Sequence, residues 1–124
     1  MKSHLLAASI LALATALAGC ASTGAAAPTS AQYQAAQSEV ARLTAEANQN
    51  ALLAPWTGPY GGVPPWDRAQ PAAFPAAFET GIALQAAEID AIANNPAQPT
   101  FENTIAAMEN AGRHLDRATL LSAV

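Results

Sequence analysis

Residues 88–112 read EIDAIANNPAQPTFENTIAAMENAG, and this stretch decides the fold. One helix ends in it, a short proline-bounded turn follows, and a second helix begins. Ile89 and Ile92 belong to an apolar stripe that stops at Asn94-Asn95-Pro96, because proline lacks an amide hydrogen and biases the residue before it toward extended backbone. Thr100 then stands where an N-cap is needed, its hydroxyl placed to accept a hydrogen bond from an otherwise unpaired amide of the first turn. A connection this short predicts an antiparallel helical hairpin.

Outward from the turn, helical spacing places Phe78, Ile82, Ala86, Ile89 and Ala93 on one face of the first helix, with Ile92 beside them. Pro75 suits the start of that helix, where its missing amide costs nothing, and Glu79 suits the positive end of the dipole. Gly81 inside it points to close packing, since glycine costs about 1 kcal/mol relative to alanine in a helix. Downstream, Phe101, Ile105, Met108, Gly112 and Leu115 form the stripe of one last helix, which runs toward Val124 without a glycine or asparagine stop signal.

Further upstream, Thr29 and Gln32 fit a capping box. Tyr33, Ala36, Val40, Leu43 and Ala47 then recur at helical spacing, and the pattern ends near Asn48-Gln49-Asn50. Residues 52–71 cannot be helical, because five prolines interrupt every run and Gly58, Gly61 and Gly62 permit backbone angles that other residues avoid. Trp56, Tyr60, Val63 and Trp66 are the apolar teeth expected to pin this loop against the helices. The fold class is therefore all-α: a helical hairpin, a preceding helix and an ordered Pro/Gly-rich loop.

The N-terminus carries a separate signal. Lys2 precedes a Leu/Ala/Ile-rich run over residues 5–17, followed by Leu17-Ala18-Gly19-Cys20, the layout of an export signal. The run is well short of the ~20 residues that span a bilayer. Leu-Ala-Gly-Cys resembles the bacterial lipoprotein processing site, which implies a signal peptide over residues 1–19, lipidation of Cys20 and a spacer over residues 20–28. Cys20 is the sole cysteine, so no disulfide can form within the chain. Lipid attachment there makes the membrane a partner, and Ala21 in place of an aspartate favours the outer membrane, facing the periplasm.

Residues 53–67, LAPWTGPYGGVPPWD, together with residues 88–112, resemble the N-terminal region of the zinc metallopeptidases of the thimet oligopeptidase, oligopeptidase A and peptidyl-dipeptidase family, closest to the bacterial peptidyl-dipeptidases. The likeness spans roughly residues 50–117. It implies that residues 29–124 are the incomplete N-terminal part of a larger helical peptidase fold, in which such helices form one wall of a deep channel admitting short peptides. It also implies a partner, the missing C-terminal catalytic part, and zinc as the cofactor of the full-length family member.

The chemistry of that family is not written in these residues. Its zinc is held by a helical H-E-x-x-H, in which histidines four apart share one face and the glutamate activates water. This chain has two histidines, His4 and His114. His114 is followed by Leu115 and Asp116, and the positions three and four away hold Asn110, Ala111, Arg117 and Ala118, so no zinc site is expected there. No catalytic, substrate-binding or metal residue can be assigned. Glu88, Asp90, Glu102 and Glu109 are expected on solvated helix faces, as is His114.

Past the signal, four arginines face nine acids, a net charge of about minus five with neutral histidines. That sign excludes nucleic-acid binding, which requires a positive footprint. The chain therefore reads as the inactive N-terminal part of an exported peptidase. Its rival is a small non-catalytic envelope lipoprotein that uses the hairpin as a binding or complementing module.

Overall fold

The computed structural model describes residues 26–124. The export signal, Cys20 and the first part of the spacer lie outside the described residues. Four α-helices are present among those described: α1 (Ser30–Ala47), α2 (Phe74–Ala93), α3 (Ala107–Asn110) and α4 (Arg113–Ser122). The one extended pairing among them is an isolated bridge between Thr57 and Val63. The all-α architecture is as the sequence predicts.

The expected capping box opens α1: the Thr29 hydroxyl accepts from the Gln32 amide while the Gln32 side chain accepts from the Thr29 amide. The helix buries Ala36, Leu43 and Ala47, three of the five residues on the predicted stripe. It runs antiparallel to α2, because Glu46 near its end accepts from Thr80 near the start of α2, at 3.1 Å. Ala36 near its beginning correspondingly shares a surface hollow with Asp90 and Asn94.

α2 turns a different face inward from the one that spacing suggested. Ile82 and Ile89 are exposed, and the buried residues are Ala77, Gly81, Leu84 and Ala91. The helix is apolar almost all round, so hydrophobic spacing offers more than one candidate stripe. Packing selects the narrower one, whose small side chains let two neighbours approach. A Cβ on Gly81 would stand 3.1 Å from Leu115 Cδ1 and 3.3 Å from its Cα, so α4 lies almost on the α2 backbone.

Thr100 caps the next segment as expected, accepting from the Asn103 amide at 3.1 Å. The segment is not one continuous helix, however. It begins as π-type turns over Phe101–Ala106, continues as α3, and breaks at Gly112, whose φ of 84° is left-handed. Gly112 is thus a helix breaker and not a member of an apolar stripe. Phe101, Ile105 and Met108 are all exposed, Phe101 at 67%. After the break α4 runs antiparallel to α2, with Leu115 beside Gly81 and Gly112 beside Gln85.

The loop between α1 and α2 is ordered by different residues from those expected. Leu52 and Leu53 are fully buried and belong to the core with Leu43, Ala47, Ala77, Leu84, Ala118 and Leu121. Of the four expected teeth only Trp56 packs against this core, while Val63 and Trp66 are about half exposed and Tyr60 is 105% exposed. The prolines and glycines hold those side chains outward: Gly58, Gly61, Gly62 and Tyr60 all have positive φ. Gly62 is obligatory for a second reason, since a Cβ there would sit 2.6 Å from the Trp56 carbonyl oxygen.

Two leucines test where the stability resides. Leu53→Ala should destabilise by about 2–5 kcal/mol, the usual cost of a cavity at a fully buried leucine. Leu120→Ala, at a position 59% exposed, should stay within about 0.5 kcal/mol. Urea unfolding midpoints compare the two, and equal effects would contradict this core.

Candidate functional site

Two features bring polar groups from distant parts of the chain together, the seat of α4 and the groove beside it. At the seat, the break at Gly112 leaves its amide without a helical partner. Glu88 supplies one, its Oε2 accepting from Gly112 N at 2.7 Å across 24 residues of sequence. A carboxylate at the start of α4 also meets the positive end of that helix dipole. Glu88 is half-buried on the inward face of α2, so the expectation that it is merely solvated does not hold. Its partner lies 24 residues away, so no local spacing reports it.

His114 likewise does not sit on a free surface. It is partly buried, and its Nε2 lies 3.3 Å from Asn48 Oδ1 at the C-terminal cap of α1. Burial lowers its pKa below the ordinary histidine value, the Arg117 charge lowers it further, and Glu88 opposes both. One turn on, Arg117 Nη1 donates to the Leu53 carbonyl oxygen at 2.6 Å. Sequence reasoning missed Arg117, Asn48 and Leu53 as partners. The contacts join residues 64 and 66 apart, and no local spacing reports them.

The groove lies between α1, the C-terminal half of α2 and the segment of residues 103–111, with a volume of about 330 Å³. Val40, Ala91, Ile92 and Ala107 line it with apolar surface, and Tyr33 and Glu88 reach it from facing helices. It exists because the side facing α1 is built from small residues, Ala107 and Ala111, which leave the space between the helices unfilled. The Tyr33 hydroxyl accepts from Gln37 Nε2 at 3.0 Å. Glu88 is its one formally charged side chain.

The other carboxylates weighed in the sequence stay apart. Glu102 and Glu109 are exposed, and Asp90 is exposed and accepts from Asn94 Nδ2 at 2.9 Å. No group of three or more histidine, cysteine, aspartate or glutamate side chains among the described residues could hold a metal ion. The residues do not fit zinc: His114 engages an amide, with Arg117 one turn away and no second histidine near it. Among the described residues, Glu88, His114 and Arg117 hold distant segments together. None of the described helices is long and apolar enough to cross a membrane.

These observations define a small helical unit with structural polar contacts. Part of it is similar to known peptidases. Over 56 residues, 45% of this chain and 8% of the relative, it is 41% identical to the dipeptidyl carboxypeptidase of Salmonella typhimurium strain LT2. Over 43 residues, 35% of this chain and 6% of the relative, it is 51% identical to the dipeptidyl carboxypeptidase of Escherichia coli K12. The matched stretch supports a relation to the peptidase family and spans only a small fraction of those proteins' length. No family profile and no solved structure matches the chain.

Two predictions follow from the seat of α4. Gly112→Ala should cost about 1–3 kcal/mol, because alanine resists positive φ and its Cβ would fall 2.5 Å from Gln85 Nε2. Chemical denaturation measures it, and an unchanged midpoint would remove Gly112 from this role. His114 gives a pH dependence whose sign follows from its lowered pKa. The unfolded chain binds the proton more readily, so the contribution is complete above the ordinary value of about 6.5 and is lost as pH falls through the lower folded pKa. Denaturation midpoints from pH 8 to pH 5 should therefore fall more steeply for the native protein than for His114→Gln; parallel curves would rule this out.

Proposed function

We propose that this chain carries the N-terminal helical unit of an exported zinc metallopeptidase of the peptidyl-dipeptidase or oligopeptidase type, acting on short peptides. The observation that carries the reading is the similarity to two dipeptidyl carboxypeptidases over 56 and 43 residues of the chain. The unit contributes wall and support. Its segments are fixed against one another by Glu88, Arg117 and the buried leucines. Zinc and the residues that activate water belong to a catalytic part that this sequence does not contain, so the chain alone is inactive.

The export reading rests on the sequence around Cys20. Lipidation there anchors the protein, and more than one acyl chain gives stable attachment at ~0.8 kcal/mol per buried methylene. The outer membrane, facing the periplasm, is the proposed address.

One experiment addresses both parts. The full chain and Cys20→Ser are expressed in a Gram-negative host with labelled fatty acid, fractionated, purified and assayed on a short blocked peptide with and without chelator. The expected result is label and outer-membrane recovery for the native chain only, with no chelator-sensitive cleavage by either. Peptide cleavage lost on chelation would overturn the non-catalytic role, and equal labelling of both proteins would overturn lipidation at Cys20.

A further inference from the structure

The groove between α1 and the hairpin has an apolar floor, one fixed carboxylate and no basic side chain in its lining. The cation of α1, Arg42, is held by Glu39 at 2.7 Å and Glu46 at 3.2 Å. Glu88 is not free to turn away, because Gly112 N holds its Oε2. Its Oε1 accepts no hydrogen bond among the described residues. Asn110 also lines the groove, and its side-chain amide donates to the Ala106 carbonyl oxygen, leaving Oδ1 as a second acceptor.

We propose that this groove binds a primary ammonium group carried on a short apolar stem, with Glu88 Oε1 taking the charge and Val40, Ala91, Ile92 and Ala107 taking the stem. The sign follows from the lone carboxylate, which repels anions and is left desolvated by a neutral occupant. The choice of ammonium follows from the geometry at Glu88. A guanidinium is best held by both oxygens of a carboxylate, whereas an ammonium is a point charge that a single oxygen satisfies. The volume, about 330 Å³, accommodates a chain of a few methylenes. Such a group belongs either to a free alkylamine or to a lysine side chain of a polypeptide. The inference is independent of the peptidase reading, and the failure of either leaves the other standing.

The test titrates the full isotope-labelled chain, made by cell-free synthesis, with n-pentylammonium, n-pentanol, N-acetyl-lysine methylamide and N-acetyl-arginine methylamide. Amide shifts at Ala91, Ile92, Ala107 and Ala111 provide the readout. Saturable shifts are expected with an ammonium probe, and binding roughly fivefold weaker with the alcohol and the arginine derivative, the size of one partly exposed ion pair. Binding by the lysine derivative alone identifies a polypeptide as the source, and binding by pentylammonium identifies free amines. Glu88→Gln retains an acceptor for Gly112 N and should weaken ammonium binding by roughly fivefold without changing that of pentanol. Ala107→Leu fills the groove without touching Glu88 and should abolish binding. Absent saturation by both ammonium probes, equal binding of amine and alcohol, or indifference to both substitutions would overturn the proposal.

Discussion

The close approach of α1 and α4 to the narrow small-residue face of α2 is the constraint on which the other contacts rest. Ala77, Gly81 and Ala91 give that face little side-chain bulk beside Leu84, so the neighbouring helices are held by backbone proximity and many short dispersion contacts. Such a seam leaves limited volume for a core. Leu52 and Leu53 enter from the loop to complete it, and Arg117 closes over them through the Leu53 carbonyl oxygen. The same seam explains Gly112. The left-handed kink there lets the chain continue down α2 as α4 at the spacing that Gly81 permits.

This economy separates structure from chemistry. Glu88, His114 and Arg117 are the residue types that a reader would search for catalysis, yet each is engaged in joining segments distant in sequence. Their partners are a main-chain amide, a side-chain amide and a carbonyl oxygen, none of which activates a nucleophile.

Much of the fold is legible from short-range rules. The Thr29 and Thr100 caps, the end of α1 and the break at Asn94-Asn95-Pro96 all depend on residues within a few positions of one another, and each lies where such rules put it. The inward face of α2 was not legible, because a helix with isoleucines on one side and small residues on another satisfies the periodicity twice. The choice was made by what packs against it. In the loop, aromatic size pointed to Trp56, Tyr60, Val63 and Trp66, yet backbone angles imposed by glycine and proline turned most of them outward. The candidate site was the least legible part, since Glu88, Asn48 and Leu53 acquire their partners only when segments far apart in sequence meet.

The segment from Phe101 to Asn110 contributes no buried residue. It is tied at one end by the Thr100 cap and at the other by the Glu88 bond to Gly112, with Phe101, Ile105 and Met108 exposed. Its opening would remove little area from the core, so amide hydrogens there exchange through local excursions while those of α1, α2 and α4 await global unfolding. One wall of the groove is accordingly the part of the described fold least held by burial.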